Sequence, residues 1–269
     1  MKVSFVKAHA NGNDFIILSN LNMELSKLLP SIVQNLCNRR TGIGADGLLH
    51  IQTKTKLSKY IIDYYNSDGS WETFCMNGLR CVAKYLFYIN DSRKTLCLIT
   101  GDGEHRAIMD NNEVVHISLI QPQYIKKNIV VENTNGHHIN TGAHHLIVKK
   151  NNLDHSIALS LGKKIRFSKI FYPRGINVNF FNVIKNRITI YTYEKGVEDV
   201  MLSCASGSSA VVFHLAQKKI IQSPCKSYSL GGELNFSFDN LWKDAWVSGD
   251  STILFKSDIS LKSIIPYKL

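Results

Sequence analysis

CMNGLRCVAKYLFYI, residues 75–89, and CASGSSAVVFHLAQKK, residues 204–219, carry one pattern twice: C-x-[NS]-G-x-x-[CA]-V-[AV]-x-x-L. With Cys75 laid on Cys204, Gly78 falls on Gly207, Val82 on Val211 and Leu86 on Leu215. The copies start 129 residues apart (204 − 75 = 129), close to half of the 269-residue chain. A shorter match, Gly-Ile at 42–43 and 175–176, recurs at a similar offset of 133 (175 − 42 = 133). Each long copy is mostly apolar, of helical length, and opened by a small or polar turn. Two matches at nearly one offset predict two duplicated lobes, each holding one such helix.

Around the first copy the chain reads as strands. VSFVKAHANGNDFIIL (3–18) predicts two short strands about a Gly/Asn turn. MELSKLLPSIVQNLCNRR (23–40) has apolar residues at helical spacing and a basic end that suits a helix C-terminus. TGIGADGLLHIQ (41–52) is a Gly-rich turn leading into a strand, and YIIDYYNSDGS (60–70) a strand closed by a turn. Residues 95–120 predict a series of hairpins, with turns at Gly101–Gly103 and Asp110–Asn112. The second half, from about Gln121, repeats the mixture: strands in 139–150, 173–184, 187–196 and 231–249, and a helix over SIALSLGKKIRF (156–167). The class is mixed α and β, with many strands and few long helices.

Composition bounds the function. Hydrophobic residues are 44% and charged residues 20%, enough for a packed core. No apolar run reaches the length of a membrane span. The N-terminal stretch turns polar by His9, too early for a secretory signal. The expectation is a cytoplasmic protein without a membrane partner. The formal charge of +11 comes mostly from lysine doublets, read as solvated surface. No aromatic platform alternates with them, so nucleic acid is not expected as a partner.

Six cysteines without a CxxC pair suit free thiols better than a disulfide frame or a metal site. Cys37, Cys81, Cys97 and Cys225 read as packing residues, with Cys225 in a loop after Pro224. Cys75 and Cys204 differ, because each stands just before a predicted helix. The unpaired N–H groups there stabilise a thiolate and can also hold a carboxylate. Two symmetric thiols suit one reaction type. One removes the proton from a chiral carbon, the other delivers a proton to the opposite face, and the centre inverts. Ordinary nucleophilic catalysis has no use for the second thiol.

The ordered set GNDF (12–15), TGIGADG (41–47), NSDGS (66–70), CMNGLRC (75–81), TGAHH (141–145), PRGINVNF (173–180), YEKGVED (193–199) and CASGSSA (204–210) resembles the diaminopimelate epimerase family of amino-acid epimerases and racemases. The resemblance runs from about residue 3 to residue 258. It implies an α+β fold of two similar lobes, each a mixed sheet or barrel wrapped around a central helix, with the active site in the cleft between them. Residues 1–120 would form the first lobe, with a C-terminal tail at about 260–269 packing on it, and residues 121–259 the second. It implies epimerisation of LL-2,6-diaminopimelate to the meso form, without cofactor or metal, for lysine and cell-wall precursors. A homodimer acting on a small amino-acid substrate is the implied assembly. Cys75 and Cys204 would be the acid/base pair, with His145 and Glu194 tuning the thiols. Asn13, Asn66, Asn177, Glu194 and Lys195 would contact substrate, and the backbone at Met76–Asn77 and Ala205–Ser206 would hold its α-carboxylate.

The chain departs from the family pattern near the substrate. Met76 replaces the usual glycine, and CASG replaces CGTG, bringing in Ala205 and Ser206. Ala143 and His144 stand where a small polar residue and proline are usual, and His144 reads as a loop residue. Lys195 replaces a common arginine, exchanging a bidentate grip on a carboxylate for a point charge. These changes leave open a racemase of another amino acid, such as histidine, glutamate or lysine. Without the resemblance, Asn13, Asn66 and Asn177 read as turn residues.

Overall fold

The computed structural model describes residues 2–19, 30–54, 59–89 and 94–260. In chain order they form β1 (Lys2–Ala10), β2 (Asn13–Ser19), α1 (Pro30–Cys37), β3 (Gly47–Lys54), β4 (Lys59–Asn66), β5 (Trp71–Glu72), α2 (Met76–Ile89), β6 (Thr95–Thr100), β7 (Gly103–Met109) and β8 (Val115–Ser118). There follow β9 (Gln123–Val131), β10 (Thr134–Asn140), β11 (His144–Lys149), α3 (His155–Arg166), β12 (Asn177–Ile184), β13 (Arg187–Glu194), β14 (Asp199–Met201), α4 (Ala205–Gln217), β15 (Cys225–Ser229), β16 (Gly232–Phe238), β17 (Ala245–Gly249) and β18 (Thr252–Ser260). The class is α+β, mostly sheet. No helix among the described residues is long and apolar enough to cross a membrane. The predicted helical residues 23–29 and the tail at 261–269 lie outside the described residues.

The chain divides into two compact units, one built of residues up to Val115 together with those from Ser251 on, the other of His116–Asp250. In the first, β1 pairs antiparallel with β2 and with β18. β2 runs parallel to β3, with α1 in the connection, and Phe15 stands opposite Gly47. β3 then pairs antiparallel with β4, Gly47 opposite Asn66. β4 pairs antiparallel with the short β5 and parallel with β6, with α2 in the connection, and β6 turns back into β7. A parallel step needs such a crossover, so the helices follow from the strand directions.

The second unit repeats this succession. β10 pairs antiparallel with β9 and β11. β11 runs parallel to β12 across α3, His145 opposite Asn177. β12 pairs antiparallel with β13, which pairs with the short β14 and then, across α4, parallel with β15. β15, β16 and β17 continue antiparallel. Gly47 and Asn177 open corresponding strands, 130 residues apart (177 − 47 = 130). Gly42 lies five residues before β3 but Gly175 only two before β12, so the Gly-Ile match is not an equivalence of position.

Burial explains the two repeated helices. In α2 every residue from Met76 to Ala83 is buried, as are Leu86 and Phe87, and the helix packs against β1, β2, β7 and β18. In α4 burial runs through Gly207–Leu215, and the helix packs against β11, β12 and β16. A helix apolar on nearly every face belongs in a core. α3 is instead amphipathic: Ala158, Gly162 and Ile165 are buried at helical spacing, and the Asp154 carboxylate caps its first turn by accepting from Ile157 N–H at 2.8 Å.

Three local expectations need correction. α1 ends at Cys37, so Arg39 and Arg40 lie beyond it, and Arg39 serves an ion pair instead of a helix end. Cys225 opens β15 and His144 opens β11, so neither is a loop residue. After the turn at Asp110, β8 pairs with β17, a distant partner that a local alternation of residues does not announce.

Candidate active site

Cys75 and Cys204 occupy one structural position. The Cys75 carbonyl accepts the N–H of Leu79 at 2.8 Å, and the Cys204 carbonyl accepts that of Ser208 at 2.9 Å. Each therefore caps the N-terminus of a core helix, where the first-turn N–H groups lack intrahelical acceptors. Cys75 is half-buried and Cys204 buried, its Sγ 3.4 Å from the Ser206 hydroxyl. The other thiols differ in kind. Burial pushes Cys37 up to about 12 and Cys225 up to about 11. Burial, with the Glu104 carboxylate adding to it, pushes Cys97 up to about 11. Those three stay protonated near neutrality.

In the first unit a polar network runs up to Cys75. Asn13 donates through Nδ2 to Asp46 at 2.8 Å, which turns its Oδ1 toward Asn77 Nδ2 at 3.1 Å and toward the Cys75 sulfur at 4.0 Å. Asn77 Oδ1 in turn accepts from the fully buried Arg80 at 3.1 Å, and Arg80 also donates to Asn11 at 2.8 Å. Behind Asp46, Arg39 bridges Asp46 at 2.7 Å and Asp14 at 2.7 and 3.0 Å, and Lys7 pairs with Asp14 at 2.6 Å. Burial alone would raise the Asp14 pKa, but hydrogen bonds from Arg39 and then Lys7 outweigh it and bring it down to about 2. Asn66 is buried at the end of β4, held by the Tyr64 hydroxyl at 2.9 Å and by Ser70 Oγ at 3.1 Å. Met76 is 2% exposed, so its side chain is part of the core.

In the second unit His145 and Asn177 stand opposite each other at the start of adjacent strands. Asn177 accepts the backbone N–H of Lys195 at 2.8 Å, fixing the turn after Glu194. His145 is wholly buried and bonds through Nδ1 to Asn179 Oδ1 at 2.9 Å. Burial, outweighing that bond, brings the imidazole down to about 4, so it is neutral at pH 7. Thr141 donates to the Ser206 carbonyl at 3.2 Å, tying the loop before β11 to the first turn of α4. Ala205 is buried at the head of that helix. His144 is exposed, its Nδ1 2.8 Å from His138 Nε2. Partial desolvation of the ring lowers its pKa, with the nearby Arg174 and Lys195 charges adding to this.

Each unit thus gathers its own share of the sequence-predicted residues: Asn13, Asn66, Cys75, Met76 and Asn77 in one, His145, Asn177, Glu194, Lys195, Cys204, Ala205 and Ser206 in the other. Asn13 and Asn177 are strand residues with buried, bonded side chains, so the turn reading fails for both. Sequence reasoning missed Asp14, Asp46, Arg39, Arg80 and Asn179. Asn179 carried a signal: Asn177 and Asn179 are polar at alternate positions of an apolar strand, hence on one face.

The sequence model of a family described as diaminopimelate epimerase matches residues 5–119. The diaminopimelate epimerase of Flavobacterium psychrophilum is 30% identical over 262 residues, covering 94% of this chain and 98% of that protein. That of Chlorobaculum tepidum is 31% identical over 255 residues, covering 93% and 98%. Among solved structures, a hydroxyproline epimerase from Agrobacterium vitis superposes with a TM-score of 0.74 at 11% identity, covering 96% of this chain and 92% of that one. At that identity the likeness is one of fold.

Proposed function

The chain belongs to the diaminopimelate epimerase family, and on that premise we propose that it converts LL-2,6-diaminopimelate to the meso form by moving a proton at one α-carbon between Cys75 and Cys204. The observation that carries this reading is that both thiols cap core helices, at the same place in two units of like strand succession. Each of the two units supplies one thiol, Cys75 from the first and Cys204 from the second.

The chemistry follows from what an α-carbon requires. Its C–H bond is a very weak acid, because the carbanion pushes charge onto an adjacent carboxylate. A thiolate takes the proton as the charge develops, and helix N-terminal N–H groups hold that charge on the carboxylate. The opposite thiol gives its proton to the other face. One thiolate and one thiol enter, one thiol and one thiolate leave, and no electron pair is gained or lost. Asn13, with Asp46 behind it, would hold the first thiol's surroundings in one geometry. The neutral His145 would serve the second site as a hydrogen-bond acceptor.

Cys75→Ala and Cys204→Ala test the two-base reading. Each is expected to lower epimerisation by about 10²–10⁴-fold or more. Full activity in either variant would remove it. One observation favours a second substrate: Lys195, with Arg174 and His144 nearby, stands where the family pattern has arginine. On that reading the enzyme racemises an amino acid with a different far end. A panel of amino acids assayed side by side with diaminopimelate separates the two.

A further inference from the structure

We infer that Asn179 is a positioning residue that locks His145 in the Nδ1–H tautomer, holding Nε2 as a permanent proton acceptor. The inference rests on the reading of His145 as a residue serving the thiol chemistry, and adds how its protonation form is set.

Asn179 Nδ2 donates to Thr192 Oγ1 at 2.6 Å, across the paired strands β12 and β13. An amide with its nitrogen committed there must present its oxygen on the other side. That oxygen lies 2.9 Å from His145 Nδ1, and a carbonyl oxygen can only accept, so Nδ1 carries the proton. A neutral imidazole then has its lone pair on Nε2. Nε2 is buried and has no hydrogen-bond partner among the described residues. A buried acceptor left bare costs stability, and such exceptions in a well-packed core call for a functional reason.

Asn179 also meets the helix that Cys204 caps. A Cβ on Gly207 would fall 1.9 Å from Asn179 Nδ2 and 2.7 Å from its Cγ, so the third residue of α4 rests directly on this amide. Gly207 is three residues past Cys204. A side chain at 207 would push Asn179 off both its bonds. Thr192, Asn179 and Gly207 therefore act together on one ring, all three fully buried or nearly so. An asparagine, unlike an aspartate, fixes the tautomer without drawing a second proton onto the imidazole. The ring stays neutral and its free nitrogen stays an acceptor.

Nitrogen-15 labelling of the histidines in the full-length protein, read by long-range proton–nitrogen correlation at pH 7, tests this. His145→Gln assigns the signal by its loss. The expected spectrum of the unaltered protein shows His145 as the Nδ1–H tautomer. An Nε2–H tautomer or a doubly protonated ring would overturn the inference. Asn179→Leu is expected to move the ring to Nε2–H and to lower kcat about tenfold or more with a smaller change in KM. An unchanged tautomer in that variant would also overturn it. Should Asn179→Leu not fold, the isosteric Asn179→Asp keeps an acceptor oxygen facing Nδ1 and is expected to keep Nδ1 protonated, in a neutral or a doubly protonated ring, and a ring protonated at Nε2 alone would count against the inference. The spectrum is recorded without substrate, so it decides the point even if diaminopimelate proves not to be turned over.

Discussion

Asp14 shows how much of the first site is built from charge. Its carboxylate is 16% exposed, shared between Lys7 and Arg39, and lowered to about 2. An aspartate of the unfolded chain titrates near 3.8. The folded form therefore binds fewer protons over that interval, and the stabilisation, about 2 kcal/mol, is present above pH 4 and lost as pH falls toward 2. Asp14→Asn is expected to flatten the acid limb of a urea-unfolding series between pH 4 and 2. It should also lower stability at neutral pH, because the buried Lys7 loses its partner. An acid limb identical to that of the parent would show that Asp14 is not held ionised. GNDF announces none of this. Its asparagine reads as a turn residue until Asp46, more than thirty residues on, is seen to hold it.

At the scale of elements, the repeated helices were legible because their pattern is local. An apolar run, a small opening turn and a cysteine before the first turn suffice to place α2 and α4. The Gly78 and Gly207 equivalence was legible too, but not what each glycine meets. A Cβ on Gly78 would lie 2.8 Å from the flexible end of Leu49, whereas one on Gly207 would strike Asn179, pinned by two hydrogen bonds. Gly207→Ala is expected to destabilise by about 1–3 kcal/mol in urea unfolding, and Gly78→Ala by less. Equal losses would mean that Asn179 yields as easily as a leucine tip. The pairing of β8 with β17 stayed illegible for a different reason. Strand partners far apart in sequence are chosen by the whole core, and alternation in 115–118 fixes only which face is buried.

For the whole molecule, histidines set the pH response. Burial holds His138, His145 and His214 down at about 4, so each is neutral in the folded state and charged in the unfolded chain below about 6.5. The unfolded state binds more protons in that window, and stability is expected to fall from about pH 6.5 to 4, ahead of the Asp14 loss below it. Melting temperatures across pH 8 to 3 check this, and a plateau down to pH 4 would contradict it. The net charge of +11 acts in the same direction as pH falls, since added protons increase self-repulsion. The repeated cysteine-and-glycine motif was readable in the chain, but the like strand succession of the two units appears only once pairings are known. What the two thiols do to an amino acid is read directly by α-proton exchange. Diaminopimelate incubated with the protein in D2O is predicted to gain deuterium at the α-carbon as LL converts to meso. Retention of the α-proton on diaminopimelate, with exchange on another amino acid, would contradict it.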